Sequence, residues 1–594
     1  MAAKTRRKLA MTNWYNPVVL VATAIRVAIS TVFGQLADRR EAIAASNAIE
    51  PQPFDDSFNL TADGDDFWFD FLADTGDGWN STYAMARLLS EPTLDVDGAP
   101  APLPRGKALF IGGDLVYPTA SRLAYDERFL APFEEAYHPT GGTARWPDGE
   151  QSLFAIPGNH DWYDGLNSFF GLFCRRRVKP TTGIGFDRPG RKVAGRATHQ
   201  TRSYFAVKLP GRWWLWGTDS QLEGYIDQPQ IDYFRHAARH WMKPGSKLIL
   251  LVGQPSWAYV DPEEPHAAFS NFSYLERLAG AEEDDAKKPL GHQLKLVLTG
   301  DAHHYARFTE DDREYITCGG GGAFLHPTHW LRDRSFRWDY PPPGIENEPD
   351  KDYRREFRIA SSKGKEALYP SRAQSRRLTW WNVAFAGINY RFTLTLFVAY
   401  LLFHWLLDFN ARQSDAGSLA AAVRAGDFGD AILAYWKLVI VSPSATLLIL
   451  LALGAYYYAA DLEHGLRRFL VGGAHALAHA VVVTGLTILV IRLLPNVNPV
   501  WAILAAAVVA AVASATVYGV YLLTSLRFFG KHWNEAFSSF AYRGFKAMLR
   551  MKIDRDGRLS IFPIGLTKVP RDRGATPRNP KLSPHLIEGP IVLS

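Results

Sequence analysis

The sequence has few cysteines and little excess charge, and both shortages exclude classes of protein. Its 594 residues include two cysteines, Cys174 and Cys318, which are too few for a disulfide framework and are compatible with a reducing compartment. Lys and Arg number 66 against 60 acidic residues, so the formal net charge is only +6. The basic residues cluster beside apolar segments, which favours a membrane surface as partner and gives no support to nucleic-acid binding.

Five short apolar runs, each ending in polar residues, are the most informative pattern in the chain. Such runs are typical of buried strands, and they alternate with helical stretches as in a layered α/β domain. In α/β folds ligands bind at the carboxyl ends of the strands, so the polar endings should meet at one edge. The runs and their endings are 67–73 with Asp74-Thr75-Gly76-Asp77-Gly78, 108–111 with Gly112-Gly113-Asp114-Leu115-Val116-Tyr117, 152–156 with Pro157-Gly158-Asn159-His160-Asp161, 248–252 with Gly253-Gln254-Pro255, and 294–298 with Thr299-Gly300-Asp301-Ala302-His303-His304.

These endings resemble the motifs of the calcineurin-like metallophosphoesterase superfamily, and the first two most resemble its purple acid phosphatase branch. The resemblance covers roughly residues 60–330 and, with the apolar stretches that follow, suggests a membrane-anchored bacterial type. It implies an α/β fold, namely a two-sheet metallophosphoesterase sandwich flanked by helices, and hydrolase (phosphatase) activity. Two positions depart from the pattern: Gln254 replaces the usual histidine of the fourth motif, and Asp301 replaces the first histidine of the closing Gly-His-x-His.

The resemblance implies a binuclear metal site in which Asp114 bridges the two ions. The first ion would be held by Asp74, Asp114, Tyr117 and His303, and a phenolate ligand favours iron, or else manganese. Alternatively, Tyr117 is a packing residue with a hydrated hydroxyl. Two ions about 3.5–4 Å apart would neutralise phosphoryl oxygens and supply hydroxide near neutral pH.

The second ion would be held by oxygen atoms alone. Its ligands would be Asp114, Asn159, Gln254 and Asp301, a shell that favours manganese, iron or magnesium over zinc. The alternative is that this second site has been lost, which leaves one ion or none.

Histidines close to the motifs are candidates for contact with substrate. His160 matches the family histidine that contacts phosphate or protonates the leaving oxygen, and Asp161 is expected to orient it as a second catalytic residue. His304, His326 and His329 either bind substrate or are ordinary hydrogen-bonded histidines. Asp77 is a candidate for supporting the ligands or for an extra ligand.

Two cationic segments precede and interrupt the predicted domain. An apolar run at 18–33 contains Arg26 and follows a basic start, which indicates an interfacial helix or, alternatively, an export signal that begins with Thr5-Arg6-Arg7. An insertion at about 161–202 joins a Phe-rich stretch to many Arg and Lys residues. It could lie on an anionic bilayer, guide an anionic substrate or be a solvated loop.

Four apolar stretches after residue 385 predict an all-α transmembrane four-helix bundle. They lie at about 391–409, 443–460, 471–493 and 499–525, and the second has the weakest edges. Basic residues flank them so that both ends of the bundle, and the catalytic domain, should be cytoplasmic at the inner (plasma) membrane; an exported catalytic domain is the alternative. His404, His475 and His479 lie within these stretches and indicate interhelix hydrogen bonds or a metal or haem site.

We therefore expect a membrane-anchored metal-dependent phosphoesterase that acts on a phosphorylated small molecule or lipid, with a lipid-linked phosphate or pyrophosphate favoured. Alternatives are a non-catalytic sensor that binds a phosphorylated ligand, and a transporter or redox module that uses the intramembrane histidines. The expected organisation is a basic segment with interfacial helix (1–50), metallophosphoesterase domain (51–340), linker (341–385), four-helix transmembrane domain (386–528), and a cytoplasmic helix, hairpin and tail (529–594).

Overall fold

The chain forms two compact units, and the first is assembled from distant parts of the sequence. The α/β unit comprises Met1–Thr12, Ala22–Ser375 and Ala541–Ser594, and the helical unit comprises Asn13–Val21 and Arg376–Phe540. The computed structural model describes residues 8–34, 40, 59–60, 66–138, 151–174, 191–220, 226–280, 289–342, 353–414, 416–460, 465–571 and 582–594. Residues 175–190 of the cationic insertion lie outside the described residues.

The first sheet of the α/β unit contains three of the five predicted strands. Phe67–Leu72, Ala108–Gly112 and Gln151–Ile156 run parallel, so their carboxyl ends share one edge. Burial on both faces explains their continuous apolar runs. Within the described residues the strands follow the spatial order His585–Leu586, Leu559–Leu566, Lys546–Ile553, Phe67–Leu72, Ala108–Gly112, Gln151–Ile156, Arg196–Thr198 and Lys192–Val193, with Ile591–Leu593 paired to Leu559–Leu566.

The second sheet contains the other two predicted strands, Lys247–Val252 and Gln293–Thr299, which are also parallel. The two sheets pack face to face, because Phe154 of the first sheet lies 5.3 Å, between ring centroids, from Phe205 of the second. In the described part of the chain its order is Arg334–Trp338, Tyr353–Ile359, Tyr305–Glu310, Arg313–Cys318, Gln293–Thr299, Lys247–Val252, Trp213–Gly217 and Phe205–Lys208, with Leu368–Tyr369 beside Tyr305–Glu310.

Helices cover the outer faces of both sheets. Trp79–Ser90 buries Leu88 and Leu89 in the core of the first sheet. Pro265–Gly280 buries Phe269 and Phe272 in the core of the second. The predicted fold class is thus confirmed: mixed α/β sheets are followed by a helical region with apolar helices. The other helices of this unit are Asn159–Trp162, Asn167–Phe173, Gln228–His236, Ser256–Tyr259, and the consecutive turns Arg122–Ala124, Tyr125–Leu130 and Ala131–Tyr137.

The carboxyl-terminal segment completes the first sheet. Lys546–Ile553 pairs antiparallel with Phe67–Leu72 on one side and with Leu559–Leu566 on the other. The predicted hairpin is present, but the predicted amphipathic helix at 532–551 is wrong beyond its first turns: a helix spans only Trp533–Ser538. The strand forms because both of its faces are covered, and its polar side chains find buried partners. The contacts thereby place 541–594 in the α/β unit, whereas the sequence pattern predicted an independent piece at 529–594.

The helical unit contains helices that could span a membrane by length and composition. Among the described residues these are Tyr390–Arg412, Leu466–Leu493 and Pro499–Phe529. The second predicted stretch, 443–460, belongs to a pair of helices, Phe428–Val441 and Pro443–Ala459, bent by 94°. Pro443 disfavours helical conformation at the preceding residue, which explains the break. Among the described residues, three helices could therefore span a membrane, or four if the bent pair counts as one span. Shorter helices are Phe385–Ile388 and Leu419–Arg424.

The histidines on the apolar helices make hydrogen bonds within this unit. His404 is buried, with its Nε2 atom 3.3 Å from the Tyr435 hydroxyl and 3.2 Å from the Thr487 hydroxyl. The Nε2 atoms of His475 and His479 lie 3.1 Å apart. The His404 contacts correspond to the interhelix hydrogen-bonding alternative, whereas His475 and His479 lie on one helix, Leu466–Leu493.

Candidate functional site

The three candidate carboxylates follow strands, and each has a left-handed backbone. The φ angle is 56° at Asp74, 50° at Asp114 and 66° at Asp301. Residues other than glycine rarely adopt this conformation, which costs about 1–3 kcal/mol each and persists only where the surroundings enforce it. Here the Asp74 amide donates to the Gly113 carbonyl at 3.0 Å, and the Asp301 amide donates to Asp74 Oδ1 at 3.1 Å. Three converging loops at this edge thus carry backbone strain, a feature that is common at functional sites.

The Tyr117 hydroxyl is the point at which these loops meet. It lies 3.1 Å from Asp74 Oδ1, 3.0 Å from Asp114 Oδ2 and 2.9 Å from His303 Nε2. His303 Nε2 is also 3.7 Å from Asp74 Oδ1. The structure therefore brings together all four residues predicted to hold the first ion.

The contacts around this hydroxyl require more positive charge than the side chains carry. A tyrosine hydroxyl has one proton to donate, yet it faces two carboxylate oxygens. Either one carboxylate is protonated, or a cation balances the pair. Burial raises the pKa of Asp114 to about 7, so a shared proton is available near neutral pH. A metal ion would meet the same need.

Burial and mutual repulsion govern the charge of the whole cluster. Desolvation first, then the Asp114 and Asp301 charges, raise the pKa of Asp74 well above its ordinary value. Desolvation and Asp114 raise the pKa of Asp301 to about 7, while desolvation lowers the pKa of His303 well below normal. The Asp74 Oδ2 atom is buried without a hydrogen-bond partner in the described structure, an arrangement that costs free energy unless a ligand satisfies it. The donors thus fit a hard cation.

The side chains of Asp74, Asp114, Tyr117 and His303 do not by themselves form a preformed metal site. Within the part of the chain that the structure describes, no group of three or more His, Cys, Asp or Glu residues is arranged to hold a metal ion. The Tyr117 hydroxyl lies between the donor atoms of Asp74, Asp114 and His303, and this position accounts for the lack of such a group. Two glycines leave room around the carboxylates: a Cβ atom on Gly319 would lie 2.4 Å from Asp74 Oδ2, and one on Gly158 would lie 2.1 Å from Asp114 Oδ1.

Asn159 and His160 approach the other side of Asp114. The His160 amide donates to Asp114 Oδ1 at 2.9 Å, and it lies 3.0 Å from Asn159 Oδ1. The imidazole Nδ1 atom lies 2.7 Å from the Pro118 carbonyl, which can only accept, so Nδ1 carries the proton. Burial lowers the pKa of His160 to about 4. Both side chains are half-buried, so this is the accessible side of the cluster.

Asp161 does not orient His160, and that sequence interpretation is corrected. Its carboxylate accepts from the Leu115 amide at 3.2 Å, from the Gly158 amide at 2.9 Å and from the Tyr125 hydroxyl at 2.5 Å. The short helix that begins after Gly158 turns the two side chains in different directions. Asp161 therefore ties the second and third loops together.

The second predicted ligand set is less complete than the first. Asp114, Asn159 and Asp301 lie at the cluster, as the contacts and electrostatic coupling described above show. Gln254 follows the Lys247–Val252 strand as predicted, but its side chain is exposed and makes no hydrogen bond with a described residue. Gln254 is the one predicted ligand that the structure does not connect to the others.

The remaining histidines are buried around the site. His326 supports His303, because its Nδ1 accepts from the His303 amide at 3.2 Å and the two rings stack with centroids 3.8 Å apart. His304 is 2 % exposed, and His329 places its Nδ1 atom 2.8 Å from the Ser375 hydroxyl. That bond anchors the 371–375 segment, so the structure gives no support for His329 as a substrate ligand.

Two buried charged residues hold the glycine-rich loop beside the cluster. Asp77 accepts from the amides of Thr12 at 2.8 Å and Phe324 at 3.2 Å, which makes it a support and not a ligand. Lys546 donates to the Ala323 carbonyl from the carboxyl-terminal strand. Sequence reasoning missed Lys546. Lys546 and Arg550 are four residues apart and would share one face of a helix as well as of a strand, so their spacing alone gave no signal.

Comparison with known proteins agrees with the geometry. The family model of calcineurin-like phosphoesterases matches residues 67–305. No curated protein matches the chain. One similar solved structure is "GAP50 the anchor in the inner membrane complex of Plasmodium", with a TM-score of 0.30 and 11% identity over 44% of this chain and 74% of that chain; such a likeness carries no argument about function. The family match supports the calcineurin-like phosphoesterase superfamily for residues 67–305, and with it phosphoester hydrolysis in general and the use of divalent metal ions.

Proposed function

We propose that this protein is a membrane-anchored, binuclear metal-dependent phosphoesterase of the purple acid phosphatase-like type. The observation that supports this most is the convergence of Asp74, Asp114 and His303 on the Tyr117 hydroxyl. These residues come from three separate loops, and their side chains converge on one hydroxyl. A cluster that combines strained backbone with uncompensated buried carboxylates is expected at a functional site.

The first ion, iron or manganese, would be held by Asp74, Asp114, Tyr117 and His303. The second, manganese, iron or magnesium, would be held by Asp114, Asn159 and Asp301, with Gln254 joining only if its side chain turns inward. When bound, the ions supply charge neutralisation for the phosphoryl oxygens and a hydroxide near neutral pH.

The protein side chains supply position and proton transfer. The Pro118 carbonyl fixes the His160 tautomer, so that Nε2 can contact a phosphoryl oxygen or the leaving oxygen. Asp161 fixes the loop that carries both Asn159 and the His160 amide. The half-buried face formed by Asn159, His160 and Asp301 admits the ester.

The helical unit would anchor the enzyme. Its apolar helices are long enough to cross a bilayer, and the flanking basic residues favour a cytoplasmic α/β unit at the plasma membrane. Protease access in sealed inside-out and right-side-out vesicles tests this orientation. Cleavage of the α/β unit in right-side-out vesicles would place it outside instead.

Hydrolysis of p-nitrophenyl phosphate by the purified full-length protein tests the activity. We expect turnover that depends on added manganese, iron or magnesium, and a loss of about 10³-fold or more in kcat for Asp114→Asn. Asp312→Asn is the matched control, because Asp312 is exposed and pairs only with Lys295. Equal activity of the two variants, or no turnover with any of the metals, would overturn the proposal.

One observation favours a second candidate, a non-catalytic sensor that binds a phosphorylated ligand. Gln254 lies outside the cluster, so the second ion would have three ligands from the protein. Phosphate binding and metal-dependent turnover, measured on the same protein samples, separate the two functions. A sensor would bind phosphate with the first site intact and show no metal-dependent turnover.

A further inference from the structure

A cationic cavity lies directly beside the candidate site. It has a volume of about 490 Å³, within the range of about 300–1,000 Å³ found for small-molecule sites. Arg26 and Arg122 line it, as do Tyr163 and Asp164. The Asp164 carboxylate accepts from the amide and the hydroxyl of Ser168, and its single negative charge leaves the cavity with a net positive charge from the two guanidinium groups.

Tyr163 belongs to both the cavity and the site. Its hydroxyl accepts from Asn159 Nδ2 at 3.3 Å, and its ring centroid lies 5.0 Å from that of His160. Arg26 Nη1 donates to the Thr119 hydroxyl at 2.5 Å, one residue beyond the carbonyl that holds His160. A molecule whose ester lies against His160 could therefore reach the cavity.

The helix that carries Arg26 offers an apolar surface. Along Pro17–Gly34 the side chains of Val18, Val21, Ile25 and Ile29 share one face and are 75, 61, 55 and 53 % exposed. An exposed stripe of this kind is suited to the interface of a bilayer, and the chain carries its own candidate membrane spans. Ser30 fixes the helix to the α/β unit by donating to the Trp162 carbonyl at 3.1 Å.

We propose that the substrate is a lipid diphosphate. Its chain would lie in the bilayer beside the Pro17–Gly34 helix, its terminal phosphate would lie at His160, and its inner phosphate would be bound by Arg26 and Arg122 in the cavity. Guanidinium groups bind phosphate through paired hydrogen bonds, which explains two arginines at this position. If the substrate carried a single phosphate, Arg26 and Arg122 would have no phosphate of the substrate to bind.

The reaction balances without a further reactant. The oxygen of water bonds to the terminal phosphorus, the bond from that phosphorus to the bridging oxygen breaks, and the bridging oxygen leaves with the inner phosphate. The products are a lipid monophosphate and inorganic phosphate, with the protons of water passing to them or to solvent. This inference rests on the proposed function and specifies its substrate.

The test compares three probes on the full-length protein in phosphatidylcholine nanodiscs: farnesyl diphosphate, farnesyl monophosphate and inorganic pyrophosphate. We expect kcat/KM for farnesyl diphosphate to exceed each of the others at least tenfold. In Arg26→Ala/Arg122→Ala the preference for diphosphate over monophosphate should fall at least tenfold. Arg354→Ala/Arg358→Ala, at two exposed positions, is the matched control and should keep the preference.

Binding separates this inference from the proposed function. Scintillation proximity with tritiated farnesyl diphosphate needs no turnover, and the Arg26→Ala/Arg122→Ala variant should bind at least tenfold more weakly than the control. If binding follows this pattern but no probe is hydrolysed, the enzymatic function fails and the lipid diphosphate site stands. If p-nitrophenyl phosphate is hydrolysed but the monophosphate or pyrophosphate serves as well as farnesyl diphosphate, or the arginine variant binds normally, this inference is overturned.

Discussion

Replacing Arg550 by methionine tests whether the carboxyl-terminal strand is part of the phosphoesterase unit. The Arg550 side chain is fully buried and binds both oxygens of Asp70, with Nε to Oδ1 at 2.7 Å and Nη2 to Oδ2 at 3.1 Å. It also donates to the Leu103 carbonyl at 3.2 Å. In Arg550→Met the Asp70 carboxylate keeps the Gly106 amide, at 3.3 Å, and the electrostatic attraction of Arg196, but loses its directly bonded charge partner.

An uncompensated buried charge of this kind costs about 3–5 kcal/mol. A domain is stable by about 5–15 kcal/mol, so Arg550→Met should remove a large part of the stability of the α/β unit. The double variant Asp70→Asn/Arg550→Met removes both charges and should recover at least half of the loss, since a missing pair costs less than a broken one.

Urea-dependent proteolysis of the α/β unit in the full-length protein measures this loss. Proteolysis reports on one unit, whereas tryptophan fluorescence would mix the two. Arg558→Met is the control, because Arg558 is exposed and pairs only with Asp556 at 3.8 Å. If the free energy of unfolding of Arg550→Met lies within about 0.5 kcal/mol of that of Arg558→Met, the strand pairing does not stabilise the unit and the reasoning is refuted.

Three further predictions concern the site. Asp161→Ala leaves three hydrogen-bond donors without their acceptor and should destabilise the α/β unit by about 1–3 kcal/mol for each of them. If Asp161 only holds the loops, the pH dependence of any residual activity should match that of wild type. Gly319→Val should abolish metal binding measured by mass spectrometry, because its side chain would meet Asp74. Burial lowers the pKa of Lys546 to about 7, so the folded state binds fewer protons than the unfolded state between about pH 7 and 10.5. The contribution of Lys546 to stability should therefore rise with pH across that window, by about 1 kcal/mol per unit, so the stability difference between wild type and Lys546→Met in urea titrations should change with pH by that amount.

The sequence predicted those parts of the fold whose signal is local. The five strands and their polar endings are visible because burial on both faces produces continuous apolar runs, and turns follow directly. The structure brings Asp74, Asp114, Tyr117 and His303 together as those endings predicted. Their roles as metal ligands stay predictions.

The parts that could not be predicted depend on distant partners. Residues 546–551 read as the end of a basic helix because Lys546 and Arg550 look solvated until Asp70 is seen opposite Arg550. Asp161 follows His160 in the chain, yet a helical turn separates their side chains. Sequence spacing alone does not show in which direction each side chain points.

Metal analysis of the purified full-length protein tests the central claim most directly, namely that Asp74, Asp114, Tyr117 and His303 hold a metal ion. We expect bound metal at one to two ions per chain and, in an iron-loaded sample, a visible absorption band that disappears in Tyr117→Phe. We also expect Asp114→Asn to lose metal while Asp312→Asn retains it. Metal content that is unaffected by Asp114→Asn, or the absence of bound metal after loading with iron and manganese, would contradict the account.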